Sequence, residues 1–369
     1  MNFLIIGAGA IGCLVGGKLA LRAHAVTLVG RPHFAQIVRE QGLLLSDDTG
    51  NYQIRNITVA SSLAEAFVDA TTAYDLAIFT VKAYDTANAL AEFIEAAQKA
   101  GVQPPIALSL QNGIGNEEEL AAALGAANVI AGSIGTPVSV PRPGMIQIDK
   151  AHYTIGMCPW QPNTLPKGFE GAKQALSEAG FVVKHFPDPY GLKWSKLLMN
   201  MVGNATSAIL DEAPRDMFTD IEIIDLEIQA MREALAVMRA LNIAPVNFDP
   251  YPFKILAPLI RYLPKMFIRR FMKPKSDDAR GIKMPSLNID LSLGKTRSEI
   301  FWLNAVIVRI GQEKGIPTPV NQVYTTILID LVKNPQNWAL WKHDHKRLVK
   351  AVMHQIQAQP RQSASMQQP

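Results

Sequence analysis

The residues with the clearest chemical potential form a glycine-rich string near the start of the chain. The string matches G-x-G-x-x-G and consists of Gly7, Ala8, Gly9, Ala10, Ile11 and Gly12. It follows an apolar run typical of a strand (residues 2–6) and precedes a helical pattern (residues 11–23). In that context glycine permits a tight turn, close approach of the backbone to a pyrophosphate and helix packing on the strand. The sequence therefore predicts a dinucleotide-binding loop; the alternative is a glycine-rich helix start without a ligand.

Basic residues follow two further predicted strands. Arg31 stands 19 positions after Gly12, where an NAD-binding protein usually carries an acid that accepts from the ribose 2′-OH. A guanidinium there can pair with a 2′-phosphate through charge-assisted hydrogen bonds, which favours NADPH over NADH. Lys82 follows the apolar run 74–81 and can reinforce the phosphate or face the cofactor. The alternative for both residues is a solvated surface cation.

An Asn-Gly turn follows another predicted strand, residues 106–110. Asn112 belongs to the sequence Gln111-Asn112-Gly113-Ile114-Gly115, and its spacing alone favours ordinary turn chemistry. Its position at the carboxyl end of a strand also suits an amide that reaches a nicotinamide ribose or the substrate.

A polar stripe interrupts an apolar helical pattern in the second half of the chain. Lys196, Asn200 and Asn204 are spaced four and four, so they share one face of a predicted helix over residues 190–209. A lysine on a mainly buried helix can hydrogen-bond a carbonyl oxygen and act as a general acid. The alternative is a narrow stripe that faces solvent.

A second candidate site lies between Ser286 and Glu299, in a helical pattern over residues 285–315 that is interrupted near Gly294. A carboxylate close to Lys196 would hold that lysine in position and stabilise its charge. The pattern alone favours a surface acid at a helix turn.

The order of the predicted elements indicates two domains. Strands alternate with helices in the first half, which is typical of a doubly wound parallel sheet, with antiparallel edges formed by the later strands. After Asp188-Pro189 helical periodicity dominates. We expect an α/β domain over residues 1–187, an all-α domain over 188–354, and a disordered tail over 355–369 that is rich in Gln, Ser and Pro.

Composition excludes several classes of protein. The 369 residues are 48% hydrophobic and 18% charged, which excludes a disordered chain, a collagen-like fibre and a disulfide scaffold. Two cysteines, Cys13 and Cys158, favour a reducing compartment, and we expect a cytoplasmic protein. The net charge of +4 does not indicate nucleic acid. No zinc-ligand spacing predicts a metal site, and no apolar run predicts a membrane span.

One segment departs from this even charge balance. Residues 254–275 carry seven basic residues and no acid, interleaved with Tyr262, Phe267 and Phe271. The pattern fits a surface that lies over the cleft between the domains or against an anionic membrane or acidic partner. The alternative is a solvated helical insertion.

Taken together, these motifs resemble the ketopantoate reductases (2-dehydropantoate 2-reductases). The features that carry the resemblance are the glycine-rich string, Arg31, and the segments 81–83, 111–115, 194–204 and 296–304. They occur in the family's order and cover residues 1 to about 335. The resemblance implies a Rossmann-type domain followed by an all-helical domain of substrate binding and dimerisation, with the active site in the cleft between them. It implies reduction of the C2 ketone of a 2-oxo acid by NADPH, in pantothenate biosynthesis, and leaves a homodimer as an expectation.

The resemblance also implies roles on the cofactor side of the site. Arg31 and Lys82 match basic residues at the adenosine 2′-phosphate, and Asn112 matches an asparagine near the nicotinamide and the substrate.

On the substrate side, Lys196 matches the family's catalytic lysine, which hydrogen-bonds the ketone and supplies the proton. Asn200 and Asn204 match its substrate-positioning amides. Ser286 matches a serine that binds the substrate carboxylate, and Glu299 matches a glutamate that contacts substrate and cofactor.

The chain departs from the family pattern at residues 211–214, at Lys283 and in the segment 247–283, which looks inserted. These departures bear on the identity of the substrate and not on the reaction type. Two alternatives to ketopantoate reduction stay open: a related reductase of another carbonyl or an imine, and a nonenzymatic NADP(H)-binding sensor.

Overall fold

A computed structural model describes residues 1–68, 73–149, 153–272 and 283–358. The chain forms two compact units, the first comprising Met1–Lys196 with Phe248–Pro250, and the second comprising Leu197–Asn247 with Tyr251–Pro369. The division at 196 falls inside a helix, whereas the sequence places the boundary at 187. Three residues from the segment interpreted as an insertion belong to the first unit.

The first unit contains twelve strands among its described residues. They are β1 (Asn2–Ile6), β2 (Ala25–Val29), β3 (Leu43–Asp47), β4 (Gly50–Ile54), β5 (Thr58–Ala60), β6 (Leu76–Phe79), β7 (Ile106–Ser109), β8 (Val129–Ile134), β9 (Val138–Arg142), β10 (Met145–Ile148), β11 (Thr154–Pro159) and β12 (Val182–His185). Its helices are α1 (Ala10–Ala20), α2 (Pro32–Gln41), α3 (Leu63–Ala66), α4 (Thr86–Lys99), α5 (Asn116–Leu124) and α6 (Phe169–Glu178).

Eight of these strands form one sheet in the order β12-β11-β8-β7-β6-β1-β2-β5. All neighbouring pairs are parallel except β8 with β11. Along β1, Phe3 and Ile5 join the core on one face while Leu4 and Ile6 join the core on the other. A sheet covered on both faces needs a continuous apolar run in its central strands, which is the pattern read from the sequence. The predicted α/β architecture is confirmed.

The later strands are arranged differently from the prediction. Strand β11 is antiparallel, but β12 pairs with it in parallel and forms the edge. Strand β10 leaves the main sheet for a four-stranded sheet in the order β4-β3-β10-β9. The prediction that the later strands form antiparallel edges is therefore only partly right, because helix α6 returns the chain to the edge in the parallel sense.

Helix α7 (Pro189–Met201) begins in the first unit and ends in the second. The second unit then contains α8 (Asn204–Leu210), α9 (Pro214–Met217), α10 (Ile221–Ala240), α11 (Phe253–Tyr262), α12 (Lys265–Met272), α13 (Ser286–Ser292), α14 (Asn304–Glu313), α15 (Pro319–Lys333) and α16 (His345–Ala358). Short 3-10 helices cover Glu299–Trp302 and Pro335–Leu340. Within the described part of this unit there is no strand, as predicted.

Three predictions about the helices need correction. The predicted helix 190–209 is broken at Gly203, which adopts a φ of +70° where a Cβ would lie 2.7 Å from the Met217 Cε atom. The predicted helix 285–315 consists of three shorter pieces. Helix α16 buries Leu348 and Val352 and continues to Ala358, so residues 355–358 of the predicted tail are helical. Residues 359–369 lie outside the described residues.

Among the helices that the structure describes, none is both long enough and apolar enough to cross a bilayer.

Candidate active site

Four of the predicted cofactor-binding groups lie along the edge of the main sheet that is formed by the carboxyl ends of its parallel strands. The adjacent parallel strands β7, β6, β1 and β2 are followed by Asn112, Lys82, the Gly7–Gly12 string and Arg31, in that order. Neighbouring strands are about 4.8 Å apart, so their carboxyl ends form a continuous row. In open α/β sheets, ligands bind outside that edge. The structure therefore gathers these residues where a dinucleotide would bind.

The glycine-rich turn is held by the backbone and by one side chain. The amides of Gly7 and Ala8 donate to the Val29 carbonyl oxygen at 3.2 and 2.9 Å. The Thr80 hydroxyl donates to the Gly7 carbonyl oxygen at 2.7 Å. A Cβ on Gly12 would stand only 2.1 Å from that same oxygen, so this position accepts only glycine without a rearrangement.

Gly9 shows the opposite situation, because a Cβ there would meet no atom within 4 Å. Gly9 caps the 11-residue helix α1 without a side chain, so no capping side chain occupies the first N–H groups of that helix. The turn therefore fits a dinucleotide pyrophosphate, which needs free amides and close approach to the backbone.

At Gly30, the residue that follows β2, there is no room for the side chain of an Asp or a Glu. A Cβ on Gly30 would lie 2.8 Å from the Ala8 Cβ and 2.6 Å from the Phe34 ring. The next residue, Arg31, is exposed and immediately precedes helix α2. This end of the strand thus presents a cation and no carboxylate, which suits a 2′-phosphate.

A buried hydrogen-bond network, which the sequence did not reveal, connects the turns at Lys82 and Asn112. The Gln111 amide donates to the Val81 carbonyl oxygen at 3.0 Å and to the Thr86 hydroxyl at 2.7 Å. The Thr86 hydroxyl donates to the Asn116 side chain at 2.9 Å, and Asn116 donates to the Asn112 carbonyl oxygen at 3.0 Å. A glutamine directly after an apolar strand was the only available signal.

Helix α7 is anchored to this same edge by a buried ion pair. The Lys193 ammonium lies 2.7 Å from the Glu117 carboxylate, and the two side chains are 3% and 1% exposed. Lys193 also donates to the carbonyl oxygens of Gln111 at 2.7 Å and Gly132 at 3.3 Å. A buried ion pair stabilises the fold only when its remaining donors also find acceptors, and the two carbonyl oxygens meet that condition for Lys193. Sequence reasoning missed Lys193, although it stands only three residues before Lys196.

Lys196 follows one turn later in α7 and has a different environment. Its side chain is buried, and its ammonium lies 5.7 Å from the centre of the Phe248 ring. Burial lowers the pKa of Lys196 from its ordinary 10.5 to about 7, and the positive charge of Lys193 acts in the same direction. A lysine with a pKa close to neutral can lose a proton readily, as a general acid must.

The other four predicted residues belong to the second unit. Asn200 lies in the last turn of α7, whereas Asn204 begins α8, so the predicted single-helix stripe is wrong at its third member. The Asn204 side chain accepts a hydrogen bond from the Leu287 amide at 3.1 Å, which brings it beside Ser286 at the start of α13. Glu299 is buried in the 3-10 helix Glu299–Trp302.

A buried carboxylate in α10 holds the break between α7 and α8. Glu227 accepts hydrogen bonds from the Gly203 amide at 2.7 Å, from the Thr206 hydroxyl and from the Tyr324 hydroxyl at 3.3 Å. Burial raises the pKa of Glu227, and the hydrogen bonds that it accepts oppose that rise. Glu227 therefore determines where Asn204 begins its helix.

Both halves of the chain match known proteins. The family model described as Ketopantoate reductase PanE/ApbA matches residues 3–160, and its C-terminal counterpart matches residues 190–333. The chain belongs to the ketopantoate reductase family.

Relatives and solved structures agree with this assignment. The chain is 28% identical over 322 residues to the 2-dehydropantoate 2-reductase of Pyrococcus horikoshii, which covers 87% of this chain and 94% of the relative. A ketopantoate reductase structure from Ralstonia eutropha aligns with a TM-score of 0.73 and 28% identity over 91% of this chain and all of that one. A D-mandelate dehydrogenase structure shares the fold, with a TM-score of 0.73, 20% identity and coverage of 91% and 99%.

Membership of the ketopantoate reductase family makes the protein an oxidoreductase that uses NADPH. The turn at Gly9, the crowded Gly30 and the exposed Arg31 fit this cofactor. When bound, NADPH supplies a hydride, and the residues of the strand-end row would hold its phosphates.

Residues 211–214, where this chain departs from the family pattern, take part in local hydrogen bonds and helix formation. Asp211 adopts a φ of +55° at the end of α8 and accepts hydrogen bonds from Asn288 at 3.0 Å and Lys342 at 2.7 Å. Burial acts to raise the pKa of Asp211, but these hydrogen bonds and the Lys342 charge hold it below its usual range. Pro214 begins α9 and has no N–H to donate.

Proposed function

We propose that this protein reduces the C2 ketone of a 2-oxo acid with NADPH, and that its substrate is 2-dehydropantoate, which becomes pantoate in pantothenate biosynthesis. The observation that carries the proposal is the buried Lys196, whose pKa is lowered to about 7, on a helix anchored to the row of cofactor-binding residues. The family assignment supports the reaction type.

In this reaction Lys196 is the proton donor. As the ketone carbon accepts a hydride, the electrons of the C=O bond move to the oxygen, which takes a proton from the Lys196 ammonium. The products are a 2-hydroxy acid, NADP+ and a neutral lysine. Because burial has already lowered the pKa of this lysine, loss of the proton costs less than it would in water.

We assign the residues of the second unit to substrate binding. Ser286 would bind the substrate carboxylate, and Asn200 and Asn204 would orient the substrate by hydrogen bonds. Asn204 already accepts from the start of α13, so its free amide hydrogens are available to an acceptor on the substrate. Glu299 would contact both substrate and cofactor.

The decisive experiment measures the oxidation of NADPH, and of NADH for comparison, with a panel of 2-oxo acids and with a cyclic imine as substrates. Oxidation of NADPH by 2-dehydropantoate that is lost in Lys196→Met supports the proposal. NADPH binding with turnover of the imine alone would move the assignment to an imine reductase. Binding without turnover of any substrate would indicate an NADP(H) sensor.

A comparison of two substrates tests the side-chain pocket. 2-Oxoisovalerate lacks the hydroxymethyl group of 2-dehydropantoate. A site built to bond a hydroxyl can reject such an analogue by about 10⁴-fold. Because Asp211 is occupied by Asn288 and Lys342 and Pro214 has no N–H, we expect a kcat/KM ratio well below that value. A ratio of several thousand would show that another residue supplies the missing donor.

A further inference from the structure

Helix α11 carries two apolar faces, only one of which is covered. Phe253, Ala257 and Ile260 are spaced four and three and are buried. Ile255, Leu259 and Tyr262 have the same spacing, yet they are 62%, 38% and 70% exposed. A surface helix normally has one apolar stripe, directed at the core. The second stripe therefore needs a partner outside this unit's core.

The following helix extends the uncovered face and is itself firmly attached. Met266 and Phe267 at the start of α12 are exposed, whereas Ile268 is buried. Arg269 forms a bidentate ion pair with Asp225 of α10, at 2.7 and 2.6 Å. Arg232 of α10 donates to the Ile260 carbonyl oxygen at 2.8 Å. These contacts hold the two helices against α10, so the exposed side chains form a defined surface.

The same segment concentrates positive charge. Residues 250–276 contain seven basic residues and no acid, which exceeds the net charge of +4 of the whole chain. Lys265 and Arg269 face Asp225, but Lys254, Arg261 and Arg270 form no ion pair with any carboxylate that the structure describes. Arg261 lies over the Tyr262 ring at 5.1 Å. Cations without a carboxylate partner in the described part of the chain thus flank the exposed apolar stripe.

A groove runs beneath the segment, between the end of α10 and α11. Its volume is about 610 Å³, and apolar side chains line most of it. Three cations, Arg239, Lys254 and Arg261, also line it, and no acidic residue does. Such a lining suits an anionic head group attached to an apolar body.

We propose that the surface formed by α11 and α12 docks on an anionic phospholipid bilayer. Exposed aromatic and aliphatic side chains among lysines and arginines are what an interfacial helix presents to a membrane. A two-fold contact between copies would oppose this surface to itself and bring like charges together, which disfavours a second copy as the occupant. The proposal is independent of the substrate of the enzyme.

The test measures co-sedimentation of the full chain with vesicles of equal parts phosphatidylglycerol and phosphatidylcholine, and with phosphatidylcholine alone. We expect binding to the anionic vesicles that weakens as salt rises. Lys254→Glu/Arg270→Glu should lower the partition coefficient by about tenfold or more. Ile255→Ser/Phe267→Ser should lower it similarly. Matched exposed pairs in another part of the second unit, Lys346→Glu/Lys350→Glu and Leu340→Ser/Met353→Ser, should leave it unchanged.

Melting curves and NADPH oxidation of every variant check that the fold is intact, because no substituted residue lies in the proposed active site. Equal binding to both vesicle types, or binding that the Lys254/Arg270 variant retains, would overturn the proposal. Absence of binding would do the same. Sedimentation equilibrium identifies the competing occupant: self-association that is lost in Ile255→Ser/Phe267→Ser, without vesicle binding, would assign the surface to a second copy of the chain.

Discussion

The two compact units hold their proposed binding residues in place by different means. In the first unit, the backbone at four strand ends supplies the geometry, and glycine is needed at Gly12 because the Gly7 carbonyl oxygen of the same turn approaches so closely. In the second unit, buried side chains supply it: Glu227 holds the turn before Asn204, and Asn204 holds the start of α13. Backbone geometry tolerates most substitutions of side chains. A site held by one carboxylate depends on that residue.

A related contrast lies within helix α7. Lys193 and Lys196 are both buried, but among the described residues only Lys193 lies beside a carboxylate, that of Glu117, and between two backbone carbonyl oxygens. Burial instead lowers the pKa of Lys196. The ion pair anchors the helix, whereas the lysine with the lowered pKa is suited to proton transfer.

The largest expected effect is on turnover. Lys196→Met should lower kcat with the true substrate by about 10²–10⁴-fold, because the developing alkoxide loses its proton donor. The NADPH affinity, measured by fluorescence titration, should stay within about threefold of the parent. Near-normal turnover in this variant would remove the central claim of the mechanism.

Next in size is the loss of the carboxylate that supports the second unit. Glu227→Leu should reduce the free energy of unfolding by about 2–3 kcal/mol, because the buried Gly203 amide and Thr206 hydroxyl lose their acceptor. Glu227→Gln keeps the shape and one acceptor, so it should cost less and mainly raise the KM for the 2-oxo acid. The exposed Glu222→Leu on the same helix is the control, with a change within about 0.5 kcal/mol. Equal stability of all three variants would contradict this interpretation.

Cofactor selectivity should respond to a single cation. Arg31→Ala removes a charge-assisted contact of about 1.5–3 kcal/mol and should weaken NADPH binding by roughly ten- to a hundredfold, with NADH little changed. Arg22→Ala, at the opposite end of β2, should affect neither cofactor. An equal loss for both cofactors would show that Arg31 does not bind the 2′-phosphate.

Two glycines of the same turn should separate fold from binding. Gly12→Ala should destabilise the cofactor-free protein by about 1–3 kcal/mol, because its Cβ meets the Gly7 carbonyl oxygen. Gly9→Ala should leave the melting temperature unchanged, because nothing lies within 4 Å, yet weaken NADPH binding. If Gly9→Ala binds NADPH normally, the pyrophosphate does not approach this turn.

The smallest effect is a shift in pH dependence. If the protonated Lys196 is the active form, kcat/KM should fall as pH rises, with an apparent pKa far below the 10.5 of a free lysine. The double variant Lys193→Met/Glu117→Leu removes a repelling charge together with its partner, so the descending limb should move to higher pH. A shift to lower pH would show that Lys193 does not lower the pKa of Lys196.

Local patterns predicted the central strands correctly. The predicted strand 2–6 matches Asn2–Ile6 at both ends, and the predicted strand 106–110 matches Ile106–Ser109 to within one residue. Their periodicity is uniform, and continuous apolar runs are what a sheet buried on both faces requires. The β3–β4 hairpin went unpredicted because it pairs in a second sheet with β10, about a hundred residues away in sequence. Pairing at that separation leaves no short-range signal.

The residues of the candidate site also fall into those that a local sequence pattern reveals and those that it does not. The G-x-G-x-x-G string, Arg31 and Lys196 stand out in the sequence, because their residue types carry the chemistry and their spacing follows a strand or a helix. Gln111, Glu117, Lys193 and Glu227 do not stand out, because an ordinary polar residue becomes significant only through its burial and its partner.

The sequence by itself determined the two-part architecture, the dinucleotide-binding turn and the candidate proton donor, since each depends on residues close together in the chain. Only the tertiary structure decided that Lys193 is paired while Lys196 has a pKa near 7, and that Asn204 begins a new helix. Desolvation and ion pairing depend on which side chains the fold brings within a few ångströms. That neighbourhood is a property of packing, and no spacing along the chain encodes it.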